Sequence, residues 1–136
     1  MILFTNVRIF DGSGAPPFPG EVRVAGHRID AVAAGAGPLP RDGARLIDGG
    51  GRTLMPGLVE AHAHLTWPAS VEYCPPSVDL SIEAHVLLAA RNARITLDSG
   101  FTSAYSAGSL GAGIEPALRD AIDSGGIAGP RLRASA

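Results

Sequence analysis

The stretch that decides the fold reads Leu54-Met55-Pro56-Gly57-Leu58-Val59-Glu60-Ala61-His62-Ala63-His64-Leu65. It predicts a short apolar strand that is introduced by a Pro-Gly pair and ends in two histidines one residue apart. Because side chains alternate between the faces of a strand, the even-numbered ones from Leu58 to His64 should share one side. Apolar residues on both faces are typical of a strand in a parallel sheet that helices cover.

The spacing of His62 and His64 suits a shared metal ion. In a strand their Cα atoms lie roughly 6.5–7 Å apart, and zinc–nitrogen bonds are about 2.0–2.1 Å long, so both imidazoles can lean onto one ion. A His-x-His pair alone is a weak signal, since two solvated or backbone-bonded histidines are the simpler interpretation. The pair follows a buried strand, however, and parallel α/β folds place their chemistry at the carboxyl ends of strands. This position favours the metal site.

Residues 1–53 differ in pattern from residues 54–136 and predict a small domain of short antiparallel strands. Gly- and Pro-rich segments separate the strand-forming stretches, and Ala15–Gly20, which holds three prolines, is predicted to be a loop. The predicted strands are Ile2–Phe10, Glu21–Val24, Ile29–Val32 and Arg45–Asp48.

Residues 66–136 predict a loop and then alternating helices and strands. Asp79 or Ser81 is the expected N-cap of a helix that ends at Gly100. A strand, a short helix and a third strand follow, which predicts a parallel βαβ arrangement; they are Phe101–Gly108, Glu115–Asp123 and the stretch from Gly129.

Several loop and helix residues have two interpretations. Trp67 and Tyr73 either line a substrate pocket or anchor their loop on the scaffold. Cys74, a lone cysteine beside prolines, is interpreted as inert rather than as a metal ligand. His85 is interpreted as a surface or packing histidine.

Composition excludes several classes of protein. The 136 residues carry a net charge of −2 and no basic cluster, which disfavours nucleic acid as a partner. No apolar run reaches membrane-spanning length, and one cysteine excludes an internal disulfide. The first residues lack the pattern of a signal peptide. We therefore expect a cytoplasmic location.

Three strings of the chain resemble the amidohydrolase superfamily, metal-dependent hydrolases built on a distorted (β/α)8 barrel. Its members usually read P-G-[LF]-[IV]-D-x-H-x-H at the first barrel strand; both histidines match here, and Glu60 stands where Asp is usual. Leu118–Leu132 resembles L-R-x-A-I-x-x-G-x-x-x-G-P-R-[LV] of the imidazolonepropionase and dipeptidase-like branch. Between them, Gly100-Phe101-Thr102 and Gly108 match G-[VF]-T-T-x-R-D-x-G, but Tyr105-Ser106 depart where Arg-Asp is common.

The resemblance implies an α/β fold in two parts. Residues 1–53 would form a small antiparallel β-sandwich domain, and residues 54–136 the first three strands of a TIM-like barrel. The barrel would be incomplete, because a (β/α)8 barrel needs at least about 200 residues. The chain would therefore be an N-terminal fragment.

The resemblance also implies a metal centre. His62 and His64 would bind the more buried of one or two divalent ions, with zinc favoured, and Glu60 would be a supporting or structural acid rather than a ligand. The family's catalytic Asp and its other ligands come from later strands. We therefore expect the 136-residue chain to be inactive alone.

The implied activity is hydrolysis of amide, cyclic amide or dipeptide-like C–N bonds in small molecules, with a complementing C-terminal chain or a homo-oligomer as the expected partner. An alternative is a non-catalytic fragment that completes or regulates a homologous barrel. A third possibility is a small metal-binding β module that recruits His27, His85 or Cys74, which leaves Leu118–Leu132 unexplained. Neither the substrate nor the identity of the metal follows from the sequence.

Overall fold

A computed structural model describes residues 1–35, 37–68 and 80–135. The chain separates into two compact units, Met1–Pro56 and Gly57–Ala136. The sequence predicts a change of pattern between residues 53 and 54.

The first unit contains one five-stranded sheet around β1. β2 and β3 add antiparallel on one side of β1, in the order β3-β2-β1, while β4 and β5 pair with β1 in parallel. Leu3, Val7, Ile9 and Val22 are its buried apolar side chains. The strands are β1 (Ile2–Ile9), β2 (Phe18–Ala25), β3 (Arg28–Ala34), β4 (Arg45–Asp48) and β5 (Thr53–Leu54).

Two predictions for this unit are wrong in part. The strands are not all antiparallel, because the connection between Ala34 and Arg45 carries the chain back to the free edge of β1, and β4 then enters in the direction of β1. The predicted loop Ala15–Gly20 is a strand from Phe18 onward. Pro19 is tolerated there because β2 extends past the end of β3, which pairs only as far as Gly20.

The described residues of the second unit form a parallel three-stranded sheet with two helices. The strands run in the order β6-β7-β8, and both pairings are parallel, as the sequence predicts. Helices connect them, so the unit consists of successive β-α-β crossovers. Its elements are β6 (Leu58–Ala63), α1 (Ile82–Asp98), β7 (Phe101–Ser106), α2 (Ile114–Asp123) and β8 (Arg131–Arg133).

Helix α1 begins and ends at residues that the sequence indicates. The Ser81 hydroxyl accepts a hydrogen bond from the Ala84 N–H at 3.3 Å, which caps the helix; Asp79, the other candidate cap, lies outside the described residues. Gly100 ends the segment with φ of 93°, a left-handed conformation that favours glycine. Ala89 and Ala93 are fully buried, so α1 packs closely on the core.

The pairing of β6 with β7 is irregular where the histidines begin. Glu60 lies opposite Ala104 and Ala63 opposite Ser106, so three residue steps along β6 match two along β7. This bulge interrupts the strict alternation of faces that the sequence predicts from Leu58 to His64, because an extra residue shifts the alternation by one. Bulges of this kind re-aim side chains at the ends of strands.

The helices within residues 1–35, 37–68 and 80–135 include none that is long and apolar enough to cross a membrane.

Candidate metal centre

The structure brings His62 and His64 together at the carboxyl end of β6. His62 lies in the strand, and His64 follows its last residue. The centroids of the two imidazole rings are 5.1 Å apart, and the ring planes are inclined by 77°. Both residues are exposed. Two imidazoles that meet at an accessible strand end provide two nitrogen donors of the kind that zinc prefers.

The His64 ring is held by the segment that follows β7. Its Nδ1 lies 3.2 Å from the Gly108 carbonyl oxygen. Because a carbonyl oxygen only accepts, Nδ1 donates in this bond, and in the neutral ring Nε2 then keeps a free lone pair. Metal-binding histidines almost always donate their second ring nitrogen in this way, which fixes the tautomer and the ring orientation. Gly108 has φ of 143°, a conformation available mainly to glycine.

Glu60 contacts the backbone of its own strand. Its Oε1 accepts a hydrogen bond from the His62 N–H at 3.0 Å, and the side chain is half-buried. The carboxylate therefore fixes the backbone from which the His62 ring projects.

Of the two aromatic candidates, the structure describes one. The Trp67 indole lies 5.2 Å from the His64 ring, centroid to centroid, and lines the same cleft as both histidines. The cleft has a volume of about 280 Å³. Tyr73 and Cys74 lie outside the described residues.

Two polar residues behind the histidines were not predicted. Asn92 of α1 is buried, and its Nδ2 donates to the carbonyl oxygens of Leu65 at 2.9 Å and Trp67 at 2.6 Å. Thr66 is fully buried, and its hydroxyl accepts from the Leu110 N–H at 2.8 Å. The sequence gives one indication of this role, since Asn92 lies three residues after Ala89 and therefore on the same face of α1 as that buried alanine.

The histidine pair fits part of a metal centre. Within the described residues, no three His, Cys, Asp or Glu side chains are grouped closely enough to hold an ion. His85 is buried in α1, as a packing histidine would be, and His27 is exposed in the turn between β2 and β3. The donor set therefore consists of two imidazoles, one of them oriented through its second nitrogen.

Comparison with known proteins identifies the family. No family model matches the chain, and no curated protein matches it. Solved structures do match. An amidohydrolase is 31% identical with a TM-score of 0.80, covering 96% of this chain and 30% of that one. The chain belongs to the amidohydrolase superfamily.

Two further solved structures match the 136-residue chain to a similar degree. A Xaa-Pro dipeptidase with methionine bound in its active site is 28% identical with a TM-score of 0.81, covering 96% of this chain and 32% of that one. Phenylurea hydrolase B is 29% identical with a TM-score of 0.83, covering 98% and 30%. The chain therefore spans about 30% of the length of the structures it matches. The predicted family is confirmed, and the mixed α/β fold matches the N-terminal part of amidohydrolase structures.

Proposed function

We propose that His62 and His64 are metal ligands of a metal-dependent hydrolase that cleaves amide, cyclic amide or dipeptide-like C–N bonds. The observation that carries the proposal is the pair of imidazoles 5.1 Å apart, with Nδ1 of His64 held by the Gly108 carbonyl. This arrangement leaves Nε2 of His64 free to donate to a cation. We propose zinc, because it combines readily with imidazole nitrogen.

The roles of the neighbouring residues follow from their contacts. A divalent cation held here would lower the pKa of its bound water and polarise the scissile carbonyl. Glu60 holds the His62 backbone, and the Gly108 carbonyl holds the proton on Nδ1 of His64. Trp67 forms an apolar wall beside His64, against which a small substrate could pack.

The proposal places this site at the mouth of a (β/α)8 barrel. β6, β7 and β8 are parallel neighbours connected by helices, which is the repeating unit of such a barrel. Leu58, Val59 and Tyr105 are exposed apolar residues on these strands, as expected where further strands would cover them. In the same way, the exposed apolar residues Ile29, Val32 and Leu46 support a second sheet over the first unit, which would complete a β-sandwich.

The substrate class is inferred from the names of the solved relatives. These include a Xaa-Pro dipeptidase and a phenylurea hydrolase, and dipeptides and phenylureas are both small molecules with amide-type carbon–nitrogen bonds. We propose a small-molecule amide as the substrate of the whole protein.

A second candidate function is a non-catalytic partner that completes or regulates a homologous barrel. The observation that favours it is that β6 and β8 each pair with β7 alone in the part of the chain that the structure describes. Unpaired edges accept a strand from another chain. Two light-scattering measurements test it. The chain alone is expected to form a homodimer, or, mixed with the later barrel strands of a homologous amidohydrolase, a heterodimer.

Zinc binding tests the metal site. We expect His62→Ala and His64→Ala each to abolish the zinc binding of the wild-type chain, because a single imidazole remains. His27→Ala is the matched control, since it removes an exposed histidine from the turn between β2 and β3 and should leave binding unchanged. Competition with a chromophoric chelator gives the affinity. Unchanged zinc binding in the double variant would contradict the proposal.

The 136-residue chain alone is expected to show no amidase turnover with zinc present. Catalytic zinc sites use three protein ligands and one open position, and the described residues bring together two. The measurement is product formation from N-acyl amino acids and Xaa-Pro dipeptides by mass spectrometry, against the His62→Ala variant as background. Turnover that depends on His62 would overturn this expectation.

A further inference from the structure

We infer that Asn92 is a positioning residue for the metal centre, clamping the turn that carries His64 and Trp67 to helix α1. The inference rests on the proposed function, because it assigns to Asn92 a role toward the metal held by His62 and His64. Asn92 is not one of the proposed metal ligands; it acts through the backbone of residues 64–67.

The clamp uses both protons of a single amide group. Nδ2 of Asn92 donates to the carbonyl oxygens of Leu65 and Trp67, at 2.9 and 2.6 Å. The turn between them is closed by the Trp67 N–H, which donates to the His64 carbonyl oxygen at 3.1 Å. One side chain of α1 therefore holds the carbonyl groups of the second and fourth residues of the turn that begins at His64.

The amide is in a place where an apolar residue would pack. Asn92 is 8% exposed, and its neighbours Ala89 and Ala93 on the same helix are fully buried. Burying an amide costs free energy unless its hydrogen bonds are satisfied. Oδ1 has no hydrogen-bond partner among the described residues, so the donor end is the one that the structure uses. An amide is required here for its two N–H groups.

A second hydrogen bond connects this turn to the segment that holds the His64 ring. The Thr66 hydroxyl accepts from the Leu110 N–H, two residues beyond the Gly108 carbonyl that holds Nδ1 of His64. The turn after β6 and the segment after β7 are thus joined at two points. If the Asn92 clamp is lost, the Thr66 bond remains, but the Leu65 and Trp67 carbonyls on either side of it are no longer held to α1. We then expect the His64 ring to lose its fixed distance to the Gly108 carbonyl.

The test compares Asn92→Asp and Asn92→Ala with Thr96→Val. Asp keeps the shape of Asn but cannot donate to two carbonyls, and Ala removes the group. Thr96→Val is the matched control, because the Thr96 hydroxyl donates to the Asn92 backbone carbonyl at 2.8 Å and its loss removes a hydrogen bond from α1 that does not involve the turn. We expect both Asn92 variants to bind zinc about tenfold more weakly than wild type, as for other groups that orient metal ligands. The control should bind as wild type.

A spectroscopic readout separates positioning from loss of stability. At about pH 8.5, where imidazoles are neutral, the long-range ¹H–¹⁵N spectrum without zinc should show His64 of the wild type and of Thr96→Val with its proton on Nδ1. Both Asn92 variants should show a mixture of the two tautomers.

The outcomes distinguish this inference from the proposed function. If the wild type fails to bind zinc through His62 and His64, the proposed function fails. If it binds zinc and the folded Asn92 variants bind equally well with an unchanged His64 tautomer, the inference about Asn92 is overturned and the metal site stands. If both variants fail to fold, the wild-type chain still tests the inference. The clamped side-chain amide protons of Asn92 must exchange with deuterium more slowly than those of a free asparagine side chain in a short peptide. Equal exchange overturns the inference.

Discussion

Leu118→Ala is expected to lower the free energy of unfolding of the unit Gly57–Ala136 by about 3 kcal/mol, as for other buried Leu→Ala changes. Leu118 is 4% exposed and belongs to a core of eight buried residues, four of which are alanines. The large side chains Leu65, Ile114, Leu118 and Leu132 therefore fill most of this core. Alanine neighbours cannot extend into the space that Leu118 leaves, so the cavity persists.

The matched control is Leu87→Ala on helix α1. Leu87 is 73% exposed, so the same chemical change removes no core contact and should alter the free energy by less than about 0.5 kcal/mol. Urea unfolding followed by circular dichroism measures both variants. Equal effects of the two substitutions would show that the core is not built around Leu118.

The elements of the second unit were predictable because each has a local cause. Pro116 in the first turn and the Gly125-Gly126 pair after the last turn predict a helix from Glu115 to Asp123, and the structure begins it one residue earlier. Long helices between apolar segments predict parallel strands, because a parallel pair needs a crossover connection. These features depend on residues close together in sequence.

The features that were missed depend on pairing between distant segments. The parallel entry of β4 beside β1 is decided by which edge of the sheet is free, and the bulge between Glu60 and Ala63 by the register against β7. Neither leaves a periodic pattern in the sequence.

The candidate metal centre likewise has a part that the sequence predicts and a part that it does not. The His-x-His spacing predicts two rings near one point, and the structure places them 5.1 Å apart. The Gly108 carbonyl, which holds the His64 ring, lies 44 residues after His64, and the Asn92 amide, which holds the turn, lies 27 residues after Leu65. A backbone carbonyl has no signature in a sequence, and a single Asn in a helix is usually solvated, so these partners required the structure.

Gly57→Ala is expected to destabilise the unit Gly57–Ala136 by about 2 kcal/mol, the usual cost of inserting a methyl group into a packed site. A Cβ added at Gly57 would lie 2.6 Å from the Cβ of Thr102 and closer still to its Oγ1 and Cγ2. The backbone of Gly57 is not left-handed, so lack of space, rather than conformation, requires glycine. The next residue is held as well, since the Leu58 N–H donates to the Gly100 carbonyl oxygen at 2.9 Å. Strand β6, which contains His62 and leads into His64, must therefore move away from β7.

Gly37→Ala and Thr102→Gly make this prediction specific. A Cβ at Gly37 meets no atom within 4 Å in the described part of the chain, and Gly37 is not left-handed, so its substitution should be neutral or stabilising by up to about 1 kcal/mol. Thr102→Gly removes the atoms that the new methyl group meets. Because the two sites are in contact, the double variant should be more stable than the sum of the single effects by at least about 1 kcal/mol. If the effects of Gly57→Ala and Thr102→Gly on the free energy of unfolding are additive, the start of β6 is not in contact with Thr102. The zinc affinity of Gly57→Ala should fall and return in the double variant, because the start of β6 sets where His62 and His64 project.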